Sequence, residues 1–144
     1  MLGWLQKLCD GARHRARLKR WTSEQARWRR GEDLAHRYLA RQGLIVVARN
    51  HRPSPGHGEI DLVAWEGETL AIIEVKCRGD LEHGAPERDV DREKERALVS
   101  AARHYARQAG VPFERVRFDL VSVVLSDPPQ VQHRRDTIRP PTGI

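Results

Sequence analysis

The chain has 144 residues, a length for one domain rather than two. Its composition is 39% hydrophobic and 32% charged, and its longest aliphatic run, Leu44–Ala48, is far below the ~20 residues a membrane helix needs. An integral membrane protein, a conventionally secreted one and a wholly disordered one are therefore not expected, and the cytoplasm is the expected compartment.

The net charge of +6 is unevenly placed. Residues 1–52 hold 13 Lys+Arg and 4 Asp+Glu, a balance of +9, so the remaining 13 basic and 16 acidic residues give −3. A basic first third suggests a polyanionic partner. Arginine outnumbers lysine 22 to 4, which suits bidentate phosphate contacts but equally suits a GC-rich coding bias. The two cysteines, Cys9 and Cys77, form no zinc pattern, and Cys77 reads as a buried free thiol.

Residues 1–22 form a basic extension. Leu2, Leu5 and Leu8 fall at helical spacing ahead of Arg13, Arg15, Arg17, Lys19 and Arg20. Such an amphipathic helix could dock on the domain, touch nucleic acid or lie on an anionic membrane surface.

A core domain is expected over 23–125. Thr22-Ser23-Glu24 opens a helix that stops at Gly43. Its apolar stripe is Trp28, Ala35 and Leu39, and Glu32 falls on that stripe, where a carboxylate is costly without a partner such as His36 or an arginine. Leu44–Arg49 reads as a strand and Asn50–Gly58 as a loop. Glu59–Glu66 and Thr69–Arg78 read as a hairpin about Gly67-Glu68, with glycine at the first central position of a type II′ turn. A loop over Gly79–Glu87 and a helix over Val90–Ala109 follow, the helix facing inward with Leu98, Ala101, Ala102, Tyr105 and Ala109. Arg117–Leu125 is a strand. Residues 126–144 form a proline-containing tail with one short strand over Val131–Ile138. The expected class is α/β, a central mixed sheet flanked by helices.

The hairpin carries the chemistry. With a two-residue loop, facing positions sum to 135, so Asp61 faces Glu74 and Glu59 faces Lys76. Alternation puts all four on one side of the sheet. Opposed carboxylates destabilise a hairpin, and a divalent cation would remove the conflict, Mg²⁺ or Mn²⁺ being the metals that prefer such oxygens. A neighbouring lysine can hold an attacking water or neutralise charge growing on a phosphate. The same residues also allow a surface network in which Lys76 bridges Glu59 and Glu74 while Asp61 is solvated.

Gly58-Glu59-Ile60-Asp61-Leu62-Val63-Ala64 followed by Glu74-Val75-Lys76-Cys77-Arg78 resembles the D…ExK signature of the PD-(D/E)xK nuclease superfamily. More closely, the chain is similar to the YraN-like family of predicted bacterial endonucleases. Gly31-Glu32-x-x-Ala35-x-x-Tyr38-Leu39, Asn50-His51-Arg52, Lys94 before Leu98-x-x-Ala101-Ala102-x-x-Tyr105, and Arg117-Phe118-Asp119-Leu120-Val121-x-Val123 complete the resemblance, which covers about residues 24–125. It implies a restriction-endonuclease-like core with archaeal Holliday-junction resolvases as fold relatives, which makes a homodimer one assembly to consider. It further implies Asp61, Glu74, the Val75 carbonyl and Glu32 as ligands of Mg²⁺ or Mn²⁺, with Lys76 as the catalytic lysine. Glu59 would orient Lys76, and Lys94 would point at the scissile phosphate or remain a solvated helix-end lysine. Ile60 stands where the superfamily name has proline, and Glu95 where many relatives carry glutamine. The extension and the tail lie outside the pattern.

The function expected is metal-dependent hydrolysis of phosphodiester bonds in DNA, branched or single-stranded, with low sequence specificity. Arg27, Arg29, Arg30, Arg49, Arg52 and Arg78 would hold phosphates. The alternatives are a nucleic-acid-binding protein that keeps the fold without turnover, and an adaptor that uses the basic amphipathic start.

Overall fold

Runs of mostly apolar, β-branched and aliphatic residues over Ile60–Glu66 and Thr69–Arg78 build two strands, and Gly67 closes them into a hairpin. Gly67 has φ +59° while Glu68 keeps a negative φ, the combination of a type II′ turn. The computed structural model describes residues 23–53, 57–79 and 92–140. The expectations for residues 1–22, for most of the Gly79–Glu87 loop and for Val90 and Asp91 lie outside those residues.

The chain order is α1 (Ser23–Arg41), β1 (Ile45–His51), β2 (Ile60–Glu66), β3 (Thr69–Arg78), α2 (Arg92–Ala109), a short 3₁₀ turn (Phe113–Arg115), β4 (Val116–Val124) and β5 (Gln130–Ile138). The strands form one sheet in sequence order, β1-β2-β3-β4-β5. All neighbours are antiparallel except β3 and β4, which run parallel because α2 carries the chain back between them. This is the expected mixed α/β sheet, consistent with a restriction-endonuclease-like core. The tail's short strand is here a nine-residue edge strand, so the sheet extends to Ile138.

Each helix covers one face. Ala35 and Leu39 of α1 pack with Leu62, Ala64, Ala71, Ile73 and Val75. Leu98, Ala101 and Ala102 of α2 pack with Val63, Leu70, Ile72 and Phe118 on the other side. Alternation along β2 and β3 supplies both faces, which is why these strands are apolar nearly throughout. Both helices end as glycine predicts. Gly43 has φ +91°, and Leu44 N–H donates to the Leu39 carbonyl at 3.0 Å. Gly110 has φ +69°, and Val111 N–H donates to the Ala106 carbonyl at 2.8 Å.

Two expectations about the helices need correction. Trp28 is not a core residue: it is 41% exposed, because the buried side of α1 is Gly31, Glu32, Ala35 and Leu39. On α2, Ala106 is buried and Ala109 is exposed, since the stripe returns four residues after Ala102, not seven. No helix among the described residues is long and apolar enough to cross a membrane.

Candidate active site

The hairpin register sums to 135 as expected from Glu66–Thr69 to Leu62–Ile73 and then stops. Asp61 and Glu74 are therefore not a ladder pair. Where the ladder ends, the Asp61 carboxylate takes the backbone's place, accepting a hydrogen bond from Val75 N–H at 2.8 Å. Beyond Leu62, β2 continues only against β1, with His51 opposite Ile60. The parting of β2 from β3 opens a cavity of about 290 Å³ whose lining includes Trp28, Glu59, Asp61, Glu74 and Lys94.

Close packing at two glycines fixes the helices beside this opening. A Cβ on Gly31 would lie 2.6 Å from Cys77 Sγ, so α1 rests directly on β3. A Cβ on Gly58 would lie 2.9 Å from the Ala97 backbone, so the segment entering β2 rests on α2. Contacts under 3.0 Å tolerate no side chain without movement.

Glu32 follows Gly31 and is 1% exposed. Its Oε2 accepts from Asn50 Nδ2 at 3.0 Å and lies 3.5 Å from the Arg49 guanidinium. Its partners thus come from β1, not from His36. Its Oε1 is buried with no hydrogen-bond partner among the described residues. Asn50 takes a left-handed conformation, φ +49°, which asparagine tolerates better than most residues.

Burial raises the Asp61 carboxyl from the usual carboxylate range to about 7. The Val75 hydrogen bond opposes this, whereas the nearby charges of Glu32, Glu74 and Glu59 reinforce it. Asp61 therefore feels the charge of carboxylates on α1, on the segment before β2 and on β3.

Of the remaining candidates, Glu59 is ion-paired with Arg52 at 3.0 Å just before β2. Lys76 follows Glu74 by two residues and is half-buried. Val75 is 1% exposed, among the residues packed under α1. Arg27, Arg29 and Arg30 are exposed on α1, and Arg78 ends β3 half-buried. Arg49 bonds Asp33 at 2.7 Å, so it braces α1 against β1. Cys77 is a half-buried free thiol whose S–H donates to the Arg27 carbonyl at 3.6 Å.

Among the described residues, no three His, Cys, Asp or Glu side chains are gathered at ligand spacing for a metal. The donor set nonetheless fits a hard divalent cation. It consists of carboxylate oxygens, it includes a buried oxygen without a partner, and it concentrates negative charge that a cation would relieve.

A second charged cluster escaped the sequence reading. Asp119, its side chain wholly buried, accepts from Arg117 at 2.7 and 2.8 Å, from Asp136 N–H at 3.1 Å, and contacts His133 Nε2 at 2.8 Å. Arg117 and Arg135 also hold Glu66. The cluster locks the turn end of the hairpin to β4 and β5, and so accounts structurally for the Arg117-Phe118-Asp119 motif.

The fold and this opening define an α/β protein with a mixed five-stranded sheet and an acidic cleft between flanking helices. The chain belongs to UPF0102, an uncharacterised protein family whose model matches residues 31–123, which is the YraN-like family indicated by the motifs. It is 48% identical over 135 residues to a UPF0102 protein of Solibacter usitatus, across 94% of this chain and 98% of that one. A UPF0102 protein of Rhodococcus jostii is 42% identical over 108 residues, covering 74% and 90% of the two chains. A UPF0102 protein of Dictyoglomus turgidum is 38% identical over 96 residues, covering 67% and 80%.

Proposed function

We propose that this protein is a Mg²⁺- or Mn²⁺-dependent nuclease that hydrolyses phosphodiester bonds in DNA with low sequence specificity. The observation that carries this reading is the cavity that Asp61 and Glu74 line together with Lys94, where the charge of buried Glu32 also reaches Asp61 and Lys76 follows Glu74 by two residues on β3. Glu32, Asp61, Glu74 and the Val75 carbonyl would hold the ion. When bound, the ion supplies Lewis acidity and lowers the pKa of water.

The chain's own groups do the rest. Lys76 holds the attacking water in line with the phosphorus and meets the charge that grows on the phosphate oxygens. Lys94, on the α2 wall, orients the scissile phosphate. Arg27, Arg29, Arg30 and Arg78 contact flanking phosphates, which grips the strand without reading its bases. We propose the cytoplasm as its compartment, the default for a chain whose two cysteines suggest no disulfide framework.

A second reading, nucleic-acid binding without turnover, draws on the spacing of the described acidic side chains, no three of which are already gathered as ligands. One panel separates the two. Single-stranded, duplex, flapped and four-way DNA, and RNA, are incubated with Mg²⁺, Mn²⁺ or EDTA, with Asp61→Ala and Lys76→Ala beside the wild type. Metal-dependent cleavage lost in both variants supports the nuclease. Equal activity in the variants sinks the assignment, and tight binding with no cleavage anywhere leaves the second reading.

A further inference from the structure

Trp28 is out of place as a core residue. Exposed large apolar side chains scattered over a surface need no special explanation, and Ile45 and Val47 on the edge strand β1 fall in that class. Trp28 differs in its position. It lines the 290 Å³ cavity with Asp61, Glu74 and Lys94, and it also lines a neighbouring cavity of about 600 Å³ with Arg27 and Arg29. The indole therefore stands as the wall between an acidic opening and a more basic one, in which Glu24 is the single carboxylate among the described residues.

Its place on α1 explains how it stays there. Trp28 and Glu32 are four residues apart, one turn and about 6 Å of rise along a helix. The same side of α1 thus buries Glu32 at the sheet and leaves the ring at the lip. Gly31 seats that turn on Cys77, so the lip has a fixed position relative to Asp61 and Glu74. An exposed indole flanked by arginines is the combination that binds unpaired nucleotides: the ring stacks on any base, and the guanidinium groups take the backbone. A base inside a continuous duplex has no free face to offer such a ring.

We propose that Trp28 is a stacking platform for an unpaired base next to the scissile phosphate, and that the preferred substrate is single-stranded DNA or the single-stranded portion of a flapped or branched DNA. The inference rests on the nuclease reading and specifies its substrate. A strand would cross the lip with one phosphate at the acidic opening, the adjoining base on Trp28 and the next phosphates toward Arg27 and Arg29.

The test is a binding measurement on the full chain in EDTA, which separates recognition from turnover. Fluorescence anisotropy compares labelled oligothymidylate with a blunt hairpin duplex for the wild type, Trp28→Ala and Trp28→Phe. Loss of one stacked base weakens oligothymidylate binding roughly 5- to 150-fold in Trp28→Ala. Duplex binding stays unchanged, Trp28→Phe keeps most of the affinity, and the melting temperature moves little, because the ring is 41% exposed and lies outside the buried core. Unchanged oligothymidylate binding in Trp28→Ala, or an equal loss on both ligands, overturns the platform while leaving the nuclease reading in place. A wild type that binds neither ligand overturns both. Selective loss in Trp28→Ala, in a protein that cleaves nothing with Mn²⁺, upholds the platform and removes only the turnover.

Discussion

Gly31 of α1 and Cys77 of β3 meet so closely that a Cβ on the glycine would lie 2.6 Å from the sulfur and 2.7 Å from the Cys77 Cβ. The neighbour is a short side chain on a central strand, which cannot swing aside. Gly31→Ala must lift α1 and with it Glu32 and Trp28. Overpacking of this kind costs about 1–3 kcal/mol. Cleavage should fall further than stability alone explains. Cys77→Ala should not rescue it, because the Cβ remains, whereas Cys77→Gly in the same chain should. Urea melts and cleavage rates on the four proteins check this.

Asp61 sets activity against stability. Its folded carboxyl titrates at about 7, above the ordinary 3.8, so its favourable contribution is complete below about pH 4 and is lost as pH rises through 7. Above pH 7, in chelator, the ionised group is a burden. Asp61→Asn keeps an acceptor for Val75 N–H and sheds the charge, so it should melt higher than the wild type at pH 8, by an amount that shrinks at pH 5. It should not cleave, and Mg²⁺ should raise the melting temperature of the wild type alone. A variant no more stable than the wild type at pH 8 would contradict this account.

Asp119 behaves in the opposite sense. Burial works against its ionisation, but Arg117, His133 and the Asp136 N–H outweigh burial and hold it down at about 2. Its contribution, about 2 kcal/mol, is present above about pH 4 and disappears as pH falls through 2. Asp119→Asn should lose about 3–5 kcal/mol at neutral pH, the cost of leaving a buried partner uncompensated. It should also flatten the acid limb of the stability curve, read by urea denaturation across pH.

The arginines divide by exposure. Arg27, Arg29 and Arg30 are exposed on α1, while Arg49 is committed to Asp33 and Glu32. Each of Arg27→Gln, Arg29→Gln and Arg30→Gln should reduce the slope of log affinity against log salt by about 0.7 for a single-stranded DNA ligand. Arg49→Gln should leave that slope alone and weaken Mg²⁺-dependent stabilisation. A changed slope in Arg49→Gln would move that residue into the binding surface.

The hairpin was legible because one glycine dictates it: Gly67 sets the turn, the turn sets the register, and the register sets which residues share a face. The end of that register was not legible. It depends on Asp61 capturing Val75 N–H, a choice between side chain and ladder made only once both strands are in place. Glu32 stood out as a carboxylate on an apolar stripe, yet its partner Asn50 lies on another element, beyond what helical spacing can reach. Trp28 departs from its helical pattern for the reverse reason, since periodicity marks a direction around the helix but not where the sheet beneath it ends. The Asp119 cluster went unseen because it joins β4 to His133 and Asp136, residues in a stretch whose pattern carried little signal.

β3 is the middle strand of five, bonded on one side to β2 and on the other to β4. Amide hydrogens along such a strand exchange with solvent only when most of the molecule opens, whereas segments outside the ladder exchange through small local openings. Glu74 and Lys76 lie past the end of the β2 ladder but inside the β4 ladder, which runs from Leu70 to Arg78, so their backbone stays in the slow-exchanging sheet on that side. Gly58 and Glu59 lie outside the ladder, where exchange needs only a small local opening. One jaw of the cleft is anvil and the other is compliant, so a deuterium-labelling profile should show entry of a ligand on the Glu59 side while the β3 side stays silent.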